Sequence, residues 1–446
     1  MSSGRCTRPK PGVRYSRNAR RSSRTPASST TPRTISNRRQ PVRIIDVDAH
    51  FHEPIDWLQR TAPDIADQLG PPARFMEIAG PLFGGIPSTF SVLPEHQQPQ
   101  DVWENILPGF IEHLQMTEDR EPVSHDDAGK AVFFQAEERT RFCDERGIDV
   151  QFLNPSFLVN PIVQAAGQRK GQLIQSIRGA WNTWAAGQVA GHESRLIPVT
   201  QIDLADIPFS LGEMARMREQ GSRAFAIPES PVGRAGGLAR SITHPDFEPI
   251  WDAAEDLGMA AFAHVGFARE RINPGWANNG RDSVRTFTVL QSIVASAAGT
   301  QLMLAAMAFD GLLERHPRLT VVVEEVGIDW LPPLVAALDA SIGRRPEHIQ
   351  DGEYRPANLA PGDTYTLPLT PLEYLQRQVR VTPLPTSHPI DTVIQQVPPE
   401  LLCFSSDFPH VEGAADPVAI FDRQLDGQPA NVRDAFYGGV GEIIGV

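Results

Sequence analysis

Cysteine is scarce in this chain of 446 residues, which holds only Cys6, Cys143 and Cys403. Three widely scattered thiols exclude a disulfide framework and a Cys-based metal spacing, and they point to a reducing, cytoplasmic setting. Long apolar runs are missing too. No stretch approaches the roughly 18 to 20 residues that a membrane span requires, so a soluble protein with no membrane partner is expected. Acidic residues are absent from the first 45 positions, where arginines recur from Arg5 to Arg43, although the whole chain carries a net charge of −13. Residues 1–42 are rich in Arg, Ser, Thr and Pro, a composition that cannot bury enough surface to offset chain entropy. This segment is expected to be a disordered basic tail. It has no apolar stretch after its arginine pairs, which argues against a secretory signal. Its charge could suit nucleic acid or an anionic surface, but an unstructured extension is the preferred reading and nucleic acid is not an expected partner. Finally, there is no phosphate-binding Gly-rich loop, no Rossmann fingerprint and no Gly-x-Ser-x-Gly elbow. Nucleotide and serine-hydrolase chemistry therefore lack support.

What is present is concentrated near position 50. Asp46-Val47-Asp48-Ala49-His50-Phe51-His52 follows the apolar pair Ile44 and Ile45, so two carboxylates and two imidazoles fall on one short strand. Residues at i, i+2 and i+4 of a strand share a face, which puts Asp48, His50 and, as an additional candidate, His52 in position to grip one cation. Glu53 should then face the other way and anchor the loop entered at Pro54. Further donors occur where later strands should end: His264 after Met259–Ala263, and Asp407 after Leu401–Phe404. Glu325 stands in the same kind of position, as a base, a ligand or an ion-pair partner. His410 and Glu412 lie one step along the loop from Asp407. Arg377, Arg380 and the remaining histidines, His316 among them, are expected at the solvated surface.

Between these points the chain has a regular grammar. Residues 54–140 run through Pro- and Gly-rich stretches and read as an inserted lid over the active face. From Phe142 onward, apolar runs of strand length alternate with segments of helical period. Strands are expected at 44–48, 149–153, 195–199, 223–227, 259–264, 319–324, 379–382 and 401–405. Helices are expected at 171–186, 247–257 and 301–315. Eight strand and helix units with right-handed crossovers fit a closed (β/α)8 TIM barrel spanning 43–446. In such a barrel the chemistry sits at the carboxyl ends of the strands, where Asp48, His50, His264, Glu325 and Asp407 all fall.

At this point a family resemblance can be stated. Ile45-Asp-Val-Asp-Ala-His50 is similar to the Ile-Asp-x-His-x-His opening of the amidohydrolase superfamily, in its amidohydrolase-2 branch, which includes aminocarboxymuconate semialdehyde decarboxylase. Leu313-Glu-Arg-His-Pro317, Glu325-Val-Gly-Ile-Asp-Trp-Leu-Pro332 and Ser406-Asp-Phe-Pro-His-Val-Glu-Gly413 extend the likeness from about Val42 to Gly439. The resemblance implies a distorted barrel with one divalent metal, zinc as the expected ion and manganese as the alternative. Its ligands would map to Asp48, His50, His264 and Asp407. Two departures stand out: Asp48 replaces the first histidine of many relatives, which hardens the donor set, and Glu325 replaces a sixth-strand histidine of the decarboxylases.

The reaction expected from these residues is hydrolysis of a small organic substrate by metal-activated water, with Asp407 moving the proton and Glu325 or His410 orienting the substrate. Decarboxylation of a small aromatic or dienoic acid is the alternative. A barrel that binds without catalysis is the third reading. The apolar segment Ala435–Val440 is expected to pack on the barrel or on a second copy in a homo-oligomer.

Overall fold

Seven short apolar strands pair side by side, all parallel, in the order β1 (Ile45–Phe51), β2 (Val150–Pro155), β3 (Leu196–Thr200), β4 (Ala224–Ile227), β5 (Ala260–His264), β6 (Val321–Glu324) and β9 (Val379–Val381). A small antiparallel hairpin, β7 (Ile349–Gln350) and β8 (Glu353–Tyr354), lies in sequence between β6 and β9. This computed structural model describes residues 42–71, 131–232, 239–265, 296–341, 349–350, 353–354, 367–385, 389–410, 413–414 and 416–446. The basic tail up to Pro41, the middle of the expected lid at 72–130, and His96, His113, His125, His348, His388 and Glu412 lie outside the described residues.

The eighth stave is the segment 401–408. It is not a regular strand, but it bonds to both open edges of the sheet. Cys403 N donates to Val381 O (3.1 Å) on β9, while Val47 N donates to Phe404 O (3.3 Å), Asp407 N to Asp48 O (2.8 Å) and His50 N to Phe408 O (2.7 Å) on β1. These bonds close a distorted (β/α)8 barrel. Its irregularity has a local cause: Asp407 takes a left-handed backbone at φ 51, which a continuous ladder does not accommodate.

Each strand reads two ways, toward the barrel interior and toward the helices. Val150 and Phe152, Ile197 and Val199, Ala260 and Phe262, and Val322 form an apolar plug inside. Leu153, Ala261, Ala263, Val321 and Val323 face the outer layer with helices such as Ile174–Gln188, Glu248–Leu257 and Ser296–Phe309. By alternation the next inward positions above the plug are Asn154, His264 and Glu324.

Strand β1 breaks the alternation once. Ile45 and Val47 belong to the interior cluster, whereas Ala49 and Phe51 belong to the outer one. The register against β2 shifts between Asp46 and Ala49, where three steps on β1 match two from Gln151 to Leu153. A β-bulge at Val47–Asp48 inserts one residue and reverses the facing of everything after it. Without it, Asp48 and His50 would point at the helices. A flat strand, as assumed from sequence, does not deliver this site.

The expected lid is partly helical. Its described ends contain helices Trp57–Thr61 and Pro63–Leu69, and helix Ala136–Arg146 is the barrel helix that leads into β2. Segment Ala435–Val440 lies in helix Ala430–Ile444 and packs on the barrel: a Cβ on Gly438 would stand 2.9 Å from Arg43 O, and one on Gly441 the same distance from Ile45 Cγ1. Among the described residues no helix is long and apolar enough to cross a membrane.

Phe262, fully buried and 5.1 Å from Phe152 between ring centroids, is central to the plug directly beneath His264. Phe262→Ala should cost about 3–5 kcal/mol and lower the denaturant midpoint accordingly. An unchanged midpoint would mean that the interior is not packed.

Candidate metal centre

The bulge sends Asp48 and His50 inward, β5 ends at His264, and β6 ends at Glu324. Glu325 follows at φ 57, a left-handed conformation that turns its side chain into the same space. Asp407 and His410 come from the closing segment. Left-handed backbone at a non-glycine residue costs on the order of 1–3 kcal/mol and gathers at functional sites. Of three such residues described, two are Glu325 and Asp407.

The side chains converge tightly. His50 Nε2 lies 3.1 Å from His264 Nε2, 3.2 Å from Asp48 Oδ1 and 3.6 Å from Asp407 Oδ1. His264 Nε2 lies 3.0 Å from Glu325 Oε2 and 3.7 Å from Asp48 Oδ1. Both imidazoles turn Nδ1 to a carbonyl, His50 to Pro155 O at 3.2 Å and His264 to Val265 O at 2.9 Å. With the hydrogen fixed there, Nε2 of each ring is the position for a second proton or a metal. Two nitrogens held about 2.0–2.1 Å from zinc at right-angle to tetrahedral geometry would sit about 2.8–3.4 Å apart, which matches the observed spacing. Asp48 Oδ2 and both oxygens of Asp407 are buried and accept no well-directed hydrogen bond. The residues present therefore fit a divalent cation.

The electrostatics say the same. Burial, reinforced by the charge of Glu325, holds the Asp407 carboxyl well above its ordinary range, and burial with the charge of Asp48 does so for Glu324. Asp46, fully buried, is pushed up to about 7. Glu325 is held well below the usual carboxylate range because contacts with His264 and His410 outweigh its burial. His264 and His410 are raised well above an ordinary imidazole: burial opposes this, but Glu325 and Asp48 overcome it for His264, and Asp407 and Glu325 for His410. His50, buried and next to the His410 charge, drops to about 4. In the metal-free protein, protons on His264 and His410 supply the positive charge that this nest of carboxylates demands.

Several supporting residues escaped the sequence reading. Asn154 Nδ2 donates to Asp48 Oδ1 (3.3 Å) and to Glu324 Oε2 (3.2 Å). Ser156 Oγ pairs with His410 Nε2 at 2.9 Å. Arg139, buried in helix Ala136–Arg146, donates to His50 O (2.5 Å) and Phe133 O (3.0 Å) and lies over the Phe408 ring. The signal for Asn154 and Glu324 was there, two positions beyond the apolar Phe152 and Val322; nothing local pointed to Ser156 or Arg139. Glu53 anchors the chain as expected: it accepts from Ser156 N, Phe157 N and Trp181 Nε1. His52 is buried against Phe133, Phe157 and His410 and belongs to neither of the two donor groups that the described residues form. The surface expectation fails for two residues. Arg380 is buried and donates to Val379 O, and His316 is buried beside Glu248 at 2.8 Å. Arg377, half-buried, donates to Leu313 O.

Residues 45–439 match the family model described as amidohydrolase (Amidohydro_2). The chain belongs to this amidohydrolase family. No curated protein matches it. Among solved structures, the amidohydrolase is similar to an amidohydrolase from Mycobacterium avium subsp. paratuberculosis K-10, at 18% identity and a TM-score of 0.59, over 91% of this chain and 100% of that one. It is also similar to 5-carboxyvanillate decarboxylase from Sphingomonas paucimobilis, at 18% identity and a TM-score of 0.54, with the same coverage. A third is dihydroxybenzoic acid decarboxylase from Polaromonas sp. JS666, with bound manganese and 2-nitroresorcinol, at 14% identity and a TM-score of 0.53, over 91% and 97% of the two chains. At these identities the likeness establishes the fold.

Two outcomes follow from this geometry. A Cβ on Gly413 would lie 2.6 Å from Ser406 O and 2.7 Å from Asp407 O, so Gly413→Ala must displace the segment carrying Asp407. Metal affinity should fall about 10- to 100-fold in competition with a fluorescent chelator, and an unchanged affinity would contradict the placement. Because the raised His264 and His410 hold protons at pH 7, a cation must displace them, and affinity should weaken as pH falls. Mn2+ titrated by calorimetry at pH 7 in buffers of different ionisation enthalpy should report release of about one proton or more. Heats independent of the buffer would show that no proton is displaced.

Proposed function

We propose that this amidohydrolase is a metal-dependent, non-oxidative decarboxylase of a small aromatic or dienoic acid. The observation that carries metal dependence is the approach of His50 and His264 to 3.1 Å through nitrogens whose ring partners are tied to carbonyls. Decarboxylation is favoured over the hydrolysis expected from sequence by the solved relatives, two of which are decarboxylases of hydroxylated aromatic acids. An oxygen-rich donor set suits manganese as well as zinc, and the Polaromonas enzyme holds manganese.

Asp48, His50, His264 and Asp407 would hold the ion, with Glu325 at the same point. When bound, the ion supplies a positive centre for the substrate's carboxylate and a neighbouring oxygen. The chain supplies the rest. Asn154 fixes Asp48, and Arg139 fixes the backbone of His50. Asp407, with His410 Nδ1 3.0 Å from its Oδ1, is placed to pass a proton from that imidazole to the carbon that loses its carboxyl group. The electron pair of the broken C–C bond stays on that carbon and takes the proton, CO2 departs, and no oxidant or reductant is consumed. Glu325, held ionised, keeps His264 and His410 in place.

The test is a panel of ortho-hydroxylated aromatic and dienoic acids offered to manganese- or zinc-loaded protein in 18O-labelled water. CO2 release with deuterium from D2O on the product carbon is expected, and Asp407→Asn should slow it about 100- to 10,000-fold. A product carrying 18O without CO2 would restore hydrolysis.

A further inference from the structure

Glu53 is a fully buried carboxylate two residues past the end of β1, and it belongs to neither donor group among the described residues. Its oxygens are divided between two elements. Oε2 accepts from Phe157 N (2.7 Å) and Ser156 N (3.3 Å), just after β2, and Oε1 accepts from Trp181 Nε1 (2.5 Å) in helix Ile174–Gln188. The two residues held by Oε2 are in turn the ones that meet His410 from the β2 side. Ser156 Oγ pairs with His410 Nε2 at 2.9 Å. Phe157 packs on His52, with ring centroids 5.1 Å apart, and His52 packs on His410 at 5.5 Å. The backbone of His410 is already fixed, since its N donates to Asp407 O at 2.8 Å. What remains free is rotation of the side chain, and that rotation decides whether Nδ1 stays 3.0 Å from Asp407 Oδ1.

We propose that Glu53 is a positioning residue of the site, which acts through Ser156 and Phe157 to hold the His410 ring with Nδ1 turned to Asp407. The inference rests on the reading of His410 and Asp407 as the pair that delivers the proton, and it names the group that aims them. Proton transfer tolerates little error in placement, and a displacement of about 1 Å costs about 100-fold in rate. The carboxylate is needed for its symmetry. An ionised Glu accepts on both oxygens, whereas Gln has one acceptor oxygen and an amide that only donates. Turned toward Ser156 and Phe157, the amide of Gln would set its nitrogen against the indole N–H of Trp181. Turned toward Trp181, it would set that nitrogen against two backbone N–H groups. Each orientation leaves buried donors facing each other, so the turn after β2 or the helix must move off residue 53.

The test uses the full-length protein with Glu53→Gln, Ser156→Ala, their combination, and Glu53→Gln joined to Trp181→Phe. Histidine labelled with 13C and 15N reports the His410 ring by nuclear magnetic resonance in metal-free protein without substrate, with the signal assigned by its loss in His410→Gln. Glu53→Gln and Ser156→Ala should each shift that signal and leave the distant His316 signal unmoved. With an acid that the wild type decarboxylates, each should lower kcat about 10- to 100-fold at nearly constant KM. The combination should lose less than the product of the single losses, because the two side chains share a route. Trp181→Phe removes the opposing indole donor and should return Glu53→Gln toward wild type in both spectrum and kcat. An unmoved His410 signal in both single variants, or losses that multiply in full, overturns the proposal. Should Glu53→Gln not fold, Ser156→Ala decides alone, since its half-buried hydroxyl is dispensable to the core and an unmoved His410 signal there breaks the route. A shifted signal in a protein that decarboxylates no acid of the panel keeps the clamp and overturns the reaction assigned to it.

Discussion

One extra residue in β1 sets everything else in this site. The bulge at Val47–Asp48 lets Ile45 and Val47 complete the interior plug while Asp48 and His50, a few ångströms further along, rise inside the barrel above it. The same stretch of backbone receives the closing segment, through Asp407 N to Asp48 O and His50 N to Phe408 O. Closure of the barrel and assembly of the donor cluster are therefore one event. A slip of one residue in either pairing would turn the ligands into the helix layer and reopen the ring.

Holding so many carboxyl groups away from water is expensive, and the surrounding structure shows how the arrangement is kept. Asp46, fully buried at the base of the cluster, accepts from Ser406 N and from Gln151 Nε2, so it ties β1, β2 and the closing segment together. Arg139 does comparable work from outside. Burial lowers its guanidinium only to about 10, leaving it charged at neutral pH, and it spends its hydrogen bonds on the carbonyls of His50, Val132 and Phe133. That cation also partly offsets the acidic interior. The left-handed residues Glu325 and Asp407 persist because packing on all sides over-determines them; Glu325 N, for example, donates to Thr382 Oγ1 at the end of β9.

Much of this was legible in the sequence, for identifiable reasons. Runs such as Met259–Ala263 and Leu319–Val323 have strand length and sit between helical periods, so six of the eight staves could be placed within a residue or two, while β1 runs three residues past its expected end. His50, His264 and Asp407 could be recognised because they end such runs. Residues 401–405 misled in detail: their apolar character reflects a buried stave, yet the left-handed turn at Asp407 and the bonds to two different strands keep it irregular. The bulge was not legible, since its cause is pairing with β2 about a hundred residues away. Nor was the role of Arg139, which depends on carbonyls from two separate stretches of chain, at His50 and at Val132–Phe133.

Glu325 shows how a single departure from a family pattern can change the physics of a site. Where the resemblance implies a neutral or singly protonated histidine, this chain places a carboxylate held ionised by two imidazoles, His264 at 3.0 Å and His410 at 3.8 Å. An imidazole there would compete with the cation for the same carboxylates; a carboxylate joins them. The added negative charge deepens the potential well, raises the proton affinity of both histidines, and hardens the donor set. It also links the two halves of the cluster, because its Oε2 reaches His264 on one side and His410 on the other. The residue that departs most from the decarboxylase pattern is thus the one that makes the cluster continuous, and the reaction this amidohydrolase performs must be compatible with a more anionic, more strongly cation-seeking centre than a histidine at that position would create.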